Sequence, residues 1–322
     1  SLTVTNQGTG CSATEVVIVT IADDCDPCED PLNVQNIVPN PNIEIYTACP
    51  NDLNQPELAV PWFQATTATS DFYNQCGNGD VDIPSNVFGY QEALSGNGYL
   101  GFLAYGNNYR EYVSVELTEK LVPGDQYCVA FNVSLADSVG VAIDNLGVYF
   151  STDSVQVGTQ NPLYFVPQVS NPAGSVLIDN IGWMNVAGTY TATDTMAFIT
   201  IGNFFDDLST DTIQTNFLNP GNPLGAFSYY YLDNIIVSPI PDLVPDTLAM
   251  VNSCVEETNV LTANDQFCDY AWIDLAMPND TIGVMATLNV SSDTVGVKQY
   301  VVQALYGNCK VTDTISVNYI AY

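Results

Sequence analysis

The sequence contains no histidine, and only four lysines and arginines stand against 36 aspartates and glutamates, a net charge of −32 over 322 residues. Without an imidazole, the commonest general base is absent. So are the Ser-His-Asp and Cys-His nucleophile systems and most zinc and non-haem iron sites. The shortage of positive charge excludes a nucleic-acid surface, because such a polyanion repels phosphate, and it equally disfavours anionic membranes. No apolar run reaches the 18 or so residues of a membrane span, so no membrane insertion is expected. No stretch shows 3.6-residue periodicity over a helix length. The sequence opens on Ser1 without an initiator Met, signal peptide or lipidation motif, which predicts a mature or excised piece.

What remains is apolar and β-forming. Hydrophobic residues make up 47% of the chain, which argues for packed cores rather than disorder. The length allows two or three of them. Nine cysteines point to an oxidising compartment, and their odd number leaves at least one unpaired or paired outside the segment. A surface this acidic tolerates salt, which screens its self-repulsion, and it attracts divalent cations. A saline, calcium-containing exterior suits it, so the expected localisation is extracellular, at the cell surface.

Taken in order, residues 1–23 read as two strands around a turn at Asn6 to Gly10. They align without a gap on Tyr300 to Val317: Gly10-Cys11 falls on Asn308-Cys309, and Val17 and Val19 fall on Ile315 and Val317. A lone hairpin cannot bury a core. The expectation is therefore the terminal hairpin of a preceding domain, in a window cut from a longer array. Residues 24–31, DCDPCEDP, form a linker. Its Cys25 and Cys28 lack the βαβ setting of a redox motif and the partners of a zinc site, which leaves a structural disulfide, local or to a neighbouring domain.

Residues 32–238 carry alternating strands, among them Tyr99 to Tyr105, Glu111 to Thr118, Gln126 to Ser134, Ile143 to Phe150, Met196 to Asn203 and Phe227 to Val237. Many strands with no helices between them predict a sandwich. Residues 239–246 lie in a proline-rich, semi-rigid linker. Residues 247–322 form a smaller domain with Leu261-Thr262-Ala263 as second strand and Trp272 as core aromatic.

Two stretches carry a resemblance. NIVPNPNIEIY (Asn36 to Tyr46) and FSYYYLDNIIV (Phe227 to Val237) look like the first and last strands of carbohydrate-binding and galactose-binding-like jelly rolls. Such modules open on an N-x-x-F-E-like strand and close on Y-x-D-D/N-I/V-x-I/V. The matches are Asn40, Asn42 and Glu44, then Tyr231, Asp233, Asn234, Ile235 and Val237, with Ile43 in place of the usual Phe. The segments VPNPNIEIYTACPNDLNQPELAVPWF, FGYQEALSGNGYLGF and YREYVSVELTEKLVPGDQYCVAFNVSLAD also resemble a domain of large secreted proteins of gliding, type IX-secreting bacteria. There it sits beside Ig-like repeats similar to residues 247–322. The fold expected is all-β, a jelly-roll sandwich flanked by Ig-like β-sandwich repeats. The role implied is a non-catalytic, structural or adhesive segment of a cell-surface fibre or appendage. Its partners would be copies of itself or neighbouring domains of the same chain. The rival role is a glycan-binding module that attaches to surface glycans through the jelly roll.

The resemblance also implies a structural calcium ion held by Glu44 and Asp233, with Asn42 and the Ser95-Gly96-Asn97 turn as further ligands. Calcium takes six to eight oxygens; the bland reading is two hydrogen-bonded carboxylates at strand ends. Arg110, the single arginine, either pairs with Glu92 or Glu111 in the fold or clamps a sugar beside Tyr105, Tyr109 and Tyr112. Trp62, Phe63, Tyr90 and Trp183 either fill the core or line a glycan groove. Acidic neighbours such as Asp23-Asp24 and Asp206-Asp207 carry no glycosidase signal among so many acids, and no catalytic residue is assigned. Among cysteines, Cys49 with Cys76 makes a loop staple. Cys254 with Cys309 would tie the last domain together, with Cys268 as an alternative partner, and Cys128 reads as a buried free thiol.

Overall fold

The computed structural model describes residues 2–5, 12–15, 35–215, 223–245 and 248–321. Leu2–Thr5 and Ser12–Glu15 pair antiparallel, Leu2 opposite Glu15. The turn at Asn6 to Gly10 and the linker with Cys25 and Cys28 lie outside the described residues.

The middle of the chain folds as two five-stranded antiparallel sheets packed face to face. One runs, in spatial order, Met184–Thr191, Gln126–Leu135, Ser228–Pro239, Gly98–Tyr105, Asp71–Asn74. The other runs Val169–Ser170, Leu146–Ser151, Phe198–Asn203, Val113–Glu116, Phe63–Gln64. Period-two alternation explains the layering. Leu100, Phe102, Val129, Phe131, Val133 and Leu232 of the first sheet meet Val113, Val115, Val148, Ile199 and Ile201 of the second in one buried core. Trp62 joins that core at 1% exposure, and its Nε1 donates to the Asn40 carbonyl at 3.1 Å.

The opening segment differs from expectation. Residues 36–46 make no strand, because Asn40 and Ile43 take left-handed backbone (φ 50° and 59°) and Pro39 and Pro41 lack N–H groups. Two isolated backbone bonds, Ile37 N–H to the Val237 carbonyl at 2.8 Å and Ile235 N–H to the Pro41 carbonyl at 2.9 Å, link it to the closing strand, and a side chain adds to them. The Asn36 carboxamide donates to the Ile235 carbonyl at 2.8 Å and accepts from Val237 N–H at 3.0 Å. Asn40 does the same for its own loop, donating to the carbonyls of Ile45 and Val60 and accepting from Ile45 N–H.

The last part is a smaller sandwich. Met250–Cys254, Cys309–Ile320, Gly296–Tyr306, Cys268–Asp274 and Thr281–Gly283 form one sheet, with Asn259–Thr262 paired to Thr287–Val290 opposite. Its first strand runs parallel to its last, Met250 opposite Ser316. Trp272 is fully buried and donates from Nε1 to the Met285 carbonyl at 2.7 Å.

The two sandwiches share a core. Cys128, Ala130 and Ile236, from the outer face of the first sheet, pack with Phe267, Tyr306, Cys309 and Val311. Leu243 and Val244 of the proline-rich segment are buried there too, so the segment works as a wedge rather than a spacer. The structure corrects the cysteine reading at this seam: Cys128 is bonded to Cys309 across 181 residues. Cys128 is therefore no free thiol, and Cys309 does not pair with Cys254, which is free. Alternation puts Cys128 on the outer face, opposite Ser238 and away from the middle domain's core, and this offers it to the neighbouring hairpin. Cys49 is bonded to Cys76, and Cys268 is also disulfide-bonded.

Candidate functional site

The sheet that carries the closing strand has an outer face, turned away from the second sheet. Here it is tiled with tyrosine. Tyr73, Tyr99, Tyr229 and Tyr231 sit on that face around Gly101, as their pairings require: Tyr73 opposite Tyr99, and Tyr231 opposite both Gly101 and Ser134. Tyr231 lies edge-on to Tyr73 (5.6 Å) and to Tyr229 (5.8 Å). A Cβ on Gly101 would strike the rings of Tyr229 and Tyr73, so glycine is what lets the tyrosines close over the sheet.

The face is covered, and the four rings are at most 1% exposed. Residues 75–95 fold across it. Phe88 stacks on Tyr229 at 4.0 Å, and Asn86 accepts the Tyr231 hydroxyl at 2.8 Å and donates to that of Tyr99. Gln91 accepts Tyr99 O–H on its carbonyl and Ser134 O–H on Oε1. Trp183 caps Tyr99 edge-on, its Nε1 donating to the Glu92 carbonyl. Each tyrosine thus packs its ring and satisfies its hydroxyl, as buried phenols require. Burial drives the phenol pKa of all four upward. Of the predicted groove aromatics, Trp62 is core, Phe63 is half-buried, Trp183 belongs to the cover, and Tyr90 is exposed at its edge with its hydroxyl on Glu92.

The two predicted metal-ligating acids converge on one turn. Asp233, fully buried just before the bulge of the closing strand, accepts Leu94 N–H and Ser95 N–H on Oδ2 and Asn234 N–H on Oδ1. Glu44 accepts Asn97 N–H at 2.6 Å and the Asn97 amide at 3.3 Å. Gly96 between them has φ +64°, and a Cβ there would collide with Glu44. Burial pushes the Asp233 carboxyl up to about 7, against the three amide donors that favour its ionised form. Asn42 is half-buried, with no hydrogen bond to either acid among the described residues. The turn offers these carboxylates N–H groups rather than carbonyls. Together the acids accept four backbone N–H bonds, fewer than their roughly eight lone-pair sites, so capacity for a cation remains. Among the described residues no group of three or more acidic, cysteine or histidine side chains could hold a metal, so a calcium ion there would need carbonyl oxygens as well.

Arg110 is not a ligand clamp. It is fully buried, with its Nη2 2.8 Å from Asp207 and 2.9 Å from the Phe205 carbonyl, and its Nη1 donating to the Tyr109 carbonyl. Tyr105 lies under the guanidinium at 5.6 Å, and buried Tyr112 donates to the Asn203 carbonyl. Asp207, rather than Glu92 or Glu111, is the ionic partner. Of the four, Arg110 and Tyr112 are buried, and Tyr105 and Tyr109 are half-buried.

One feature escaped sequence reasoning. Asp71 and Glu111, both nearly fully buried, line a pocket of about 340 Å3 with Phe88, Leu103, Phe227 and Tyr229. Asp71 accepts Asn54 N–H and the Tyr229 hydroxyl (2.6 Å), and Tyr229 in turn contacts Tyr73 Oη at 2.9 Å. Glu111 accepts Leu103 N–H, the Thr69 hydroxyl and the Tyr109 hydroxyl. Burial first, then the charge of Glu111, pushes Asp71 up to about 7, and burial also raises Glu111. Nothing in the sequence pairs these two with each other among 36 acids.

No family model and no curated protein matches this chain. Among solved structures it is similar to the CBM22-1 xylan-binding domain of Paenibacillus barcinonensis Xyn10C, at 11% identity over 60% of this chain and 98% of that one (TM-score 0.32). It is also similar to the K1 cleaved adhesin domain of Lys-gingipain from Porphyromonas gingivalis, at 13% over 56% and 92% (TM-score 0.30). The tandem CBM22-1-CBM22-2 of the same Xyn10C gives 11% over 81% and 67% (TM-score 0.32). The chain is an all-β protein, one sandwich joined to a smaller one.

Proposed function

We propose that this chain is a non-catalytic, structural or adhesive segment of a large secreted surface protein, a fibre or hook-like appendage of type IX-secreting bacteria. The closed tyrosine face carries this reading. The surface that would accept a glycan chain is spent on residues 75–95 at one end and on the second sandwich at the other. That closure, with buried Arg110, weighs against glycan binding through the sheet. Asp71 and Glu111 share a pocket, but the protein's own donors occupy them, so they serve the fold rather than acid–base chemistry. Shared core, seam disulfide and buried wedge together favour a stiff rod.

Calcium belongs to the same proposal. Glu44 and Asp233 would hold it beside the turn at residues 94–97, neutralising a desolvated carboxylate that has no cationic partner among the described residues, and pinning both ends of the sandwich. The test is the mass and shape of the purified native protein by light scattering and electron microscopy, with and without a calcium chelator. An ordered oligomer or rod is expected, losing order or thermal stability on chelation. A compact monomer at all concentrations would overturn the fibre reading. Unchanged melting on chelation, together with no calcium retained on dialysis, would overturn the calcium reading alone.

A further inference from the structure

In the smaller sandwich, Met250–Cys254, Cys309–Ile320 and Gly296–Tyr306 lie side by side in one sheet. Alternation buries one side of these strands, Ile315, Val317, Tyr300 and Val302 among them, and turns the other side outward. The register sets the outward residues in rows, Met250 beside Ser316 and Gln299, then Asn252 beside Asn318 and Val297. Asp313 is the one acid in the three strands, and it shares the inward side, where it accepts Val244 N–H. In a chain with 36 acids, the outward side of these strands has none. It shows Met250, Val297 and Ile320 at 61%, 58% and 47% exposure. Between them the Asn318 carboxamide donates to that of Asn252 at 3.0 Å, which holds both amides flat on the sheet. A neutral face with exposed apolar residues marks a contact surface.

Its two ends differ in charge. Lys310 is exposed at the end nearest the larger sandwich and has no ionic partner among the described residues. Glu256 is exposed at the other end, two residues past Cys254, which lies beside Ile320. The strand from Lys310 to Ile320 puts these ends roughly 34 Å apart. An approaching copy carries the same charge of −32, so it is repelled by acidic surface and settles where acids are missing. A two-fold axis crossing the strands at mid-sheet sets each Lys310 over the Glu256 end of the other copy. No carboxylate of these strands then meets another across the contact. At about 16 Å2 per strand residue the whole sheet covers roughly 600 Å2. Two copies together thus reach the lower end of the roughly 1,200–2,000 Å2 of specific interfaces.

We propose that this face joins two copies of the chain, sheet against sheet, with Met250, Val297 and Ile320 buried between them. The proposal deepens the oligomer expected above by naming its contact. The test is sedimentation equilibrium of the full chain in calcium-containing saline, from micromolar to about 100 μM. The variants are Val297→Asp and Ser316→Asp on the face, Ile181→Asp on the larger sandwich, and Lys310→Glu with and without Glu256→Lys. Reversible self-association is expected. Either aspartate on the face sets like charges against each other and should weaken it about tenfold or more. Ile181 is 85% exposed, and its aspartate should change nothing. Lys310→Glu should weaken association and the exchanged pair should restore it, a rescue that a folding defect would not give. Association that survives both face aspartates would overturn this contact and leave the fibre reading standing. A dimer that never grows longer would support the contact and count against the fibre. A monomer at every concentration would overturn both, and would leave the face to another protein or another segment of this chain.

Discussion

Replacing Asp71 by asparagine should remove a large part of a pH dependence that the fold builds into itself. Asp71 and Asp233 are each pushed to about 7 in the native protein, against roughly 3.9 for an ordinary aspartate in the unfolded chain. Between those values the native state keeps protons that the unfolded state has released, so stability falls as pH rises. Each group contributes a slope of about 1.4 kcal/mol per pH unit. From pH 5 to pH 7 that amounts to roughly 3 kcal/mol per group, and above about pH 7 the loss is complete. Asparagine is isosteric with Asp71, and the one phenol proton it leaves without an acceptor costs the same at every pH. Its Oδ1 keeps the Asn54 N–H bond, and its Nδ2 donates to Tyr229 Oη, whose proton turns to Tyr73. The variant also relieves Glu111 of a neighbouring charge. Urea unfolding followed by tyrosine and tryptophan fluorescence, in high salt and chelator, reads the effect. The gap between variant and wild type should widen by about 3 kcal/mol from pH 5 to pH 7 in favour of the variant. Parallel stability curves for the two proteins would refute the reasoning.

Further expectations attach to single contacts. Replacing Cys128 and Cys309 by alanine should cost up to about 5 kcal/mol by the chain-entropy estimate for so long a loop, read as a drop in melting temperature under non-reducing conditions. An unchanged melting temperature would mean that the shared core alone holds the seam. Arg110→Met should destabilise by roughly 2–3 kcal/mol, because it strips two carbonyls and a partly exposed carboxylate of a charged donor. Gly96→Ala should cost about 1–3 kcal/mol in denaturant titration, combining left-handed backbone with a clash on Glu44.

The strands of the jelly roll were legible where alternation was clean. The sequence placed Gln126 to Ser134 and the structure has Gln126–Leu135; it placed Phe227 to Val237 and the structure has Ser228–Pro239. Residues 36–46 misled because their apolar alternation imitates a strand, whereas a regular ladder gives way to two isolated backbone bonds and the carboxamide of Asn36. The edge strands Asp71–Asn74 and Met184–Thr191 were missed, being short in one case and glycine-interrupted in the other. Asp233 and Glu44 could be named from their motif, and they do meet on one turn. Asp71 and Glu111 could not, since their partnership depends on chain reversals that bring Asn54, Thr69 and Leu103 round them. Cys128 was misread for a similar reason. An apolar strand looks the same from either face until a second domain is seen lying on one of them.

The bond between Cys128 and Cys309 also determines how the molecule would carry a pull. Tension entering at residue 128 passes directly to residue 309, and the distance between those two points cannot grow whatever unfolds between them. The closing strand, the tyrosine cover's far support and most of the smaller sandwich lie inside that covalent bypass. A stretched chain would therefore lengthen outside it first, and the enclosed length would be released only by a reductant.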